Sequence, residues 1–331
     1  MPKTLSLRRT LLAAAAGLAV ACGALLPPGA ARAAYPDKPI QFVSPYAAGG
    51  ANDFLTRLMA RYMGEALKAT IVVENRSGAN GMIGAGAVAK MPADGYGLLM
   101  GNSATHGTNP TLYAQQLQYD ADKDFTPVAM VGSVPIVVVV SSALGVNSIE
   151  ELVKYGKTHR LSFGSSGTGG TGHLAGEAFK AATNLNMVHV PYKGDSPAVT
   201  DAMGGQVDLA FVGTASATSQ QASGKIKILA VANGTRSRSL PDVPTLQEFG
   251  YKDMEFAQWY ALFAPAGTPA DVVQKLNQAN KQALGMPEVQ KSLIAQSAES
   301  EYRTPDELRT FYRSEIERFG GIIKRLGIKL Q

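Results

Sequence analysis

The chain has 331 residues, a formal net charge of +5, one cysteine, four histidines and a single tryptophan. With 45% apolar and 17% charged residues it has a globular composition rather than a disordered one, and its length suits one large domain or two of about 150 residues. The lone cysteine excludes a disulfide framework and any multi-cysteine zinc or iron–sulfur site.

Residues 1–33 read as an export signal. Lys3, Arg8 and Arg9 form a basic start, an uncharged apolar stretch follows over 11–26, and Ala31-Arg32-Ala33 supplies the small-residue cleavage pattern, which places the cut after Ala33. The stretch is shorter than the ~20 residues that span a bilayer. Ala19-Val20-Ala21-Cys22 is a weak lipobox and Arg8-Arg9 an incomplete twin-arginine motif, so the export route stays open. Without its four basic residues the mature chain keeps 298 residues, with 27 basic and 26 acidic side chains. The apparent basicity therefore belongs to the signal and gives no support for nucleic-acid binding. Cys22 departs with it, and stability must come from apolar cores alone.

The mature chain alternates strands and helices. A strand over 40–44 runs into Pro45-Tyr46-Ala47-Ala48-Gly49-Gly50. A helix over 51–67 then places Phe54, Leu55, Leu58, Met59 and Tyr62 on one face. A strand over 71–74, a Gly-rich turn, a small-residue helix ending near Ala89 and a strand over 98–101 complete a βαβαβ order, which implies a parallel sheet flanked by helices. Residues 127–142 carry two apolar runs broken at Gly132-Ser133, as for a chain crossing between domains. A second βα series follows. Ser148 and Glu151 predict a capping box. Strands are expected over 161–164, 187–190, 207–212 and 226–231, and helices over 173–182 and 196–203. Residues 256–263 predict the return crossing. Beyond it the chain is helical, with Thr268-Pro269-Ala270-Asp271 and Thr304-Pro305-Asp306-Glu307 both reading as helix starts that pack back on the first domain.

The chemistry lies in three Gly-rich turns between a strand and a helix: 47–53, 78–81 with Asn75, and 164–173. Such turns aim backbone N–H groups and a helix dipole above the sheet, where an anion fits. Tight βα geometry explains any one of them; three, split between both halves, argue for a ligand. Gly167-Thr168-Gly169-Gly170-Thr171-Gly172 matches the dinucleotide pattern G-x-G-x-x-G, but the acid required about 20 residues on is absent. It reads instead as a short-anion cradle with hydroxyls from Ser165, Ser166, Thr168 and Thr171, and no cofactor is expected. No G-x-S-x-G elbow or H-E-x-x-H spacing occurs, so neither a catalytic site nor a metal site is expected. His159 reads as a surface residue and His189 as a core histidine, while His106 and His173 are nearer the loops. Asp53 is placed to orient the first loop. Tyr46, Tyr192, Trp259 and Tyr260 are candidate pocket walls.

Several segments are similar to the Bug-type solute-binding proteins, the extracytoplasmic receptors of tripartite tricarboxylate transporters. They are P-Y-A-A-G-G-A-N-D from Pro45, V-E-N-R-S-G-A-N-G from Val73, A-T-H-G-T-N-P-T-L-Y from Ala104, G-S-S-G-T-G-G-T-G-H-L-A-G-E from Gly164, V-P-Y-K-G from Val190, G-G-Q-V-D from Gly204 and R-S-x-x-L-P-D-V-P-T from Arg236. The resemblance covers essentially the whole mature chain. It implies an α/β, two-lobed periplasmic binding-protein fold of the Venus-flytrap, type II-like kind with two crossings. Lobe 1 would be 34–133 plus 255–331 and lobe 2 would be 134–254. It implies a periplasmic receptor, not an enzyme, that captures a di-, tri- or aromatic carboxylate between its lobes and delivers it to the membrane subunits of the transporter. A sensory co-receptor docking on a sensor protein is the alternative, and an exported hydrolase a more distant one. By matching motif, the ligand contacts would be Tyr46, Ala47, Gly49, Gly50, Asn52 and Asn80, with Thr105 and His106 nearby. The second lobe would add Ser165, Ser166, Gly167, Thr168 and Thr171, with Tyr192 closing the wall. Val212-Gly213-Thr214 stands where the family commonly has polar residues, so a bulkier acid than citrate is admissible.

Overall fold

The computed structural model describes residues 35–329, so the expected export signal and Cys22 lie outside the described residues. The chain divides into two compact units, Met1–Asp37 and Lys38–Gln331; the fold belongs to the second.

β1 (Ile40–Ser44), β2 (Ile71–Asn75) and β3 (Gly97–Asn102) run parallel with β1 between its neighbours. They are linked by α1 (Ala51–Leu67) and α2 (Met82–Ala89). β3 is buried at every position, which is why it reads as an apolar run without alternation. The buried stripe of α1 is Asn52, Leu55, Thr56, Met59, Ala60 and Met63. That is a rotation from the expected face: Phe54, Leu58 and Tyr62 are only half-buried, because the stripe is completed by polar and small residues that apolar periodicity does not count.

After the short α3 (Asn109–Leu112), β4 (Phe125–Ser141) runs unbroken for 17 residues. The expected break at Gly132-Ser133 is instead where a two-residue strand, β10 (Glu299–Ser300), pairs with β4. A Cβ on Gly132 would lie 2.3 Å from the Glu299 carbonyl oxygen, so only glycine admits this neighbour. β4 then changes partners. Through Pro135 it pairs antiparallel with β9 (Ala257–Pro265), and from Ile136 it pairs with β7 (Leu209–Gly213) and β8 (Ile226–Ala232). The strand order is β2-β1-β3-β9-β4-β7-β5-β6, with β5 (Leu161–Ser165) and β6 (Met187–Pro191) parallel to each other. Around the second group of strands lie α4 (Ile149–Gly156), α5 (Thr171–Thr183), α6 (Asp195–Met203) and α7 (Thr214–Gln221). α7 was not expected: its sequence T-A-S-A-T-S-Q-Q lacks an apolar stripe, and only Thr214 and Ala217 are buried.

α8 (Ala270–Leu284), α9 (Pro287–Ala295) and α10 (Pro305–Arg325) complete the chain. Thr304 and Glu307 form the full capping box at α10. The other expected caps differ. Thr268 donates to the Pro265 carbonyl at 2.8 Å and Pro269 takes the cap position. Ser148 accepts from Glu151 N, but the Glu151 carboxylate accepts from Asn147 N, one residue before the cap. α10 does not keep to the first half. Leu308 and Tyr312 join the core around Val43, Leu99 and Phe263, whereas Phe319, Ile322 and Ile323 join the core around Phe163, Phe179 and Phe211. Among the described residues no helix is long and apolar enough to cross a membrane.

Candidate site at the two glycine-capped helices

α1 and α5 both begin after a glycine, Gly50 and Gly170, and neither start receives a side-chain cap. The first-turn N–H groups of a helix have no partner within it, so both ends present free donors and the positive end of a helix dipole. The starts of α4 and α10, by contrast, are closed by Ser148 and Thr304.

Ala47, Gly49 and Gly50, expected as ligand contacts, lie in an exposed loop. Gly49, at φ +89°, donates its N–H to Asp53 Oδ2 at 2.9 Å. Asp53 also accepts from Arg57 Nε at 3.0 Å and Asn75 Nδ2 at 2.8 Å. Burial acts to raise its pKa, but these three bonds prevail and hold the carboxyl below its usual range. Asp53 thus fixes the loop from beneath. Asn52 does not face the loop: it accepts from Ser44 Oγ and donates to the Met100 carbonyl, tying β1 to β3. Asn80, in left-handed backbone at φ 51°, donates to Asn109 Oδ1 at 2.8 Å.

Tyr46 leads from the first loop to the second. Its hydroxyl donates towards Asn102 Oδ1 at 3.3 Å and the Asn80 carbonyl at 3.4 Å, and burial pushes its pKa up to about 12, so it stays a neutral donor. Next to Asn102, the Ser103 hydroxyl meets the Thr171 hydroxyl at 3.0 Å. Leu112 is seated against Gly169, where an added Cβ would lie 2.0 Å from its Cδ2. The two halves therefore touch beside the α5 start.

Thr105 and His106 are fully buried, not pocket-lining. Thr105 Oγ1 accepts from Asn102 N, and the His106 ring stacks on Phe263 at 3.8 Å. Desolvation lowers the His106 pKa to about 3. Flat aromatic packing against Phe263, 157 residues on in the sequence numbering, has no local sequence signal.

The second loop is more tightly built. Ser165 Oγ lies 2.7 Å from His189 Nε2, the His189 ring stacks on His173 at 3.8 Å, and His173 Nδ1 accepts the Gly169 N–H at 3.0 Å. Burial lowers both rings, His173 to about 4 and His189 to about 3. Ser166, Gly167 and Thr168 are half-buried at the loop surface, while Ser165 and Thr171 are buried. Tyr192 packs beside Gly164 and donates to Asp201 at 2.7 Å.

Two contributors escaped the sequence reading. Asp195, the first residue of α6, accepts from Gly213 N at 3.1 Å and from Gln258 Nε2 at 3.4 Å. Gln258 in turn accepts from the Tyr260 hydroxyl at 3.1 Å. Tyr260 thus faces the loops, but Trp259, one position away on β9, faces oppositely and donates to Glu315 of α10. A cavity of about 770 Å3 lies on that opposite side, lined by Trp259, Glu315, Arg318 and neighbours, and shares no residue with the loops. Its lining carries the carboxylates of Asp253, Glu255, Glu301, Glu315 and Glu317 against three arginines, a balance that disfavours an anion, so the loops are the better candidate. Among the described residues no three His, Cys, Asp or Glu side chains assemble as a metal site.

Comparison with known proteins identifies the family. The chain is 34% identical to BugT of Bordetella pertussis over 97% of its length and 99% of the relative. The solved periplasmic binding protein BugD superposes with a TM-score of 0.78 at 35% identity, covering 90% of this chain and 100% of that one. R. palustris Rpa4515, solved with adipate, superposes with a TM-score of 0.81 at 35% identity, covering 89% and 99%. A family model described as the tripartite tricarboxylate transporter family receptor, TctC, matches residues 55–328. The chain therefore belongs to the TctC receptor family, a family of solute-binding proteins and not of enzymes.

Proposed function

We propose that this receptor captures a small carboxylate between the starts of α1 and α5 and presents it to the membrane subunits of a tripartite tricarboxylate-type transporter. The observation that carries the reading is the pair of long helices whose glycine caps leave first-turn N–H groups free, one in each half. Adipate in the related Rpa4515 structure supports the ligand class. Lobes divided as 34–133 plus 255–331 and 134–254 place the hinge where β4 exchanges partners, at Pro135 and Ile136. A solute touching both helix starts favours the closed state because only that state offers both at once. The chain is exported and cleaved after Ala33; the N-terminal mass of the periplasmic form checks this.

The test is titration calorimetry with mono-, di- and aromatic carboxylates against the mature protein and Ser166→Asp. At least one acid binds the native chain, and the added charge at the loop abolishes that binding while far-UV circular dichroism is unchanged. Equal affinity in the variant would place the solute elsewhere.

A further inference from the structure

The cavity of about 770 Å3 on the far side of β9 shares no residue with the cradle loops, and capture of a carboxylate makes no use of it. Its walls come from segments far apart in the chain: Ser133 of β4, Trp259 of β9, Gln247 and Asp253 from the stretch between β8 and β9, and one side of α10. Gly321 of α10 helps to open it, because an added Cβ there would meet nothing within 4 Å.

The charges that line this cavity do not cancel. Five carboxylates face three arginines. Glu315 takes up Arg318, 2.7 Å from its Nε, and Glu301 takes up Arg303. Arg318 also donates to the Glu255 carbonyl at 2.9 Å, and Arg303 lies over the Phe311 ring at 4.3 Å, so both guanidinium groups are fully engaged. Asp253, Glu255 and Glu317 are left against Arg325, and among the described residues none of these four forms an ion pair. The Glu255 carboxylate accepts from the neutral amide of Gln247 at 2.8 Å. A surplus of two negative charges favours a cation. A bare metal ion does not suit, because among the described residues no three His, Cys, Asp or Glu side chains gather closely enough to hold one. The acids are instead spread around a wall that is partly apolar, with Trp259, Phe256 and Phe311 in it. The guest that meets both features is a methylene chain with ammonium groups at intervals. Its stem lies on apolar surface while its charged groups reach the acids, as lysine side chains do.

We propose that this cavity is a second binding site, for a linear polyamine, with Asp253, Glu255 and Glu317 taking its ammonium groups. Beyond Ala33 the chain as a whole is close to neutral, so a polycation has no general attraction to it and must be drawn by this local surplus. The site is independent of solute capture, and its failure leaves the carboxylate reading intact.

The experiment titrates spermidine, putrescine and butylamine calorimetrically into the mature protein at low ionic strength, where exposed charges are least screened. One spermidine binds per chain, and affinity falls about two- to fivefold with each ammonium group removed, the range of an exposed ion pair. The double variant Asp253→Asn, Glu317→Gln alters two exposed positions. It weakens spermidine binding about four- to twentyfold. Glu65→Gln, on α1 and outside the cavity, leaves it unchanged. Gly321→Phe fills the space and abolishes binding. The proposal is overturned if spermidine does not bind, if the double variant binds it as the native chain does, or if binding survives in a folded Gly321→Phe. It is equally overturned if magnesium chloride competes as well as putrescine, since charge alone would then be read. Should Gly321→Phe fail to fold, the double variant decides.

Discussion

The two glycine-rich loops have the same plan and opposite construction. The loop before α1 is exposed from Ala47 to Gly50 and is held from outside itself, by Asp53 on the Gly49 N–H and by Asn75 on the Tyr46 carbonyl. The loop before α5 is braced internally by Gly167 on Ser165, Gly169 on His173 and Gly170 on Gly167. The first is held by a carboxylate, the second by neutral imidazoles. Under the proposed reading, the loop before α5 would be the pre-organised half of the site and the loop before α1 the more adaptable one.

The sharpest way to break this contrast is pH. For His173, His189 and His106 the folded pKa lies below the free value of about 6.5. The unfolded chain then binds more protons, so their stabilisation is complete above pH ~6.5 and is lost as pH falls towards the folded values. Each contributes up to about 1.4 kcal/mol per pH unit in that window, less for the part-exposed His189. Asp53 has a lowered pKa, so its contribution is present above the free carboxyl value of about 4 and is lost only below it. Hydrogen exchange corrected for intrinsic rates should therefore show the 165–171 loop loosening between pH 6.5 and 4.5 while the 45–50 loop holds. Simultaneous loosening would show that the braces are not independent.

A second, smaller effect separates the loops by packing. A Cβ on Gly172 would lie 2.1 Å from the Phe211 carbonyl oxygen, whereas one on Gly50 meets nothing closer than 3.9 Å. Gly172→Ala should cost about 1–3 kcal/mol in urea unfolding, and Gly50→Ala less than about 1 kcal/mol. The smallest effect belongs to Arg57, which is half-exposed and 3.0 Å from Asp53. Arg57→Ala should change stability by under about 1 kcal/mol and leave the Gly49–Asp53 bond in place, readable as an unchanged Gly49 amide shift.

Much of this architecture was legible in the chain. The parallel strands are short and buried, so they show as apolar runs between glycine turns, and the motifs pointed to both cradle loops. What escaped was set by tertiary contact. α7 is polar and small-sided, so no periodicity marks it. Gly132 looked like a break because its role is to admit β10, which is distant in sequence. His106 lies in a polar motif, but its ring belongs to the Phe263 core. Asn52 sits in the loop motif, yet its buried side chain bonds Ser44 and Met100. Asp195 and Gln258 are 63 residues apart and meet only because β9 returns past the end of β7.

The last helix carries a mechanical consequence. Its first turns are anchored by Leu308 and Tyr312 and its last turns by Phe319, Ile322 and Ile323, in separate apolar clusters. A rod clamped at both ends resists splaying, so the proposed lobe closure would require that rod to flex or one anchorage to slide. Loosening the rear clamp, with Ile322→Ala and Ile323→Ala, should then ease that motion without altering either glycine-rich loop.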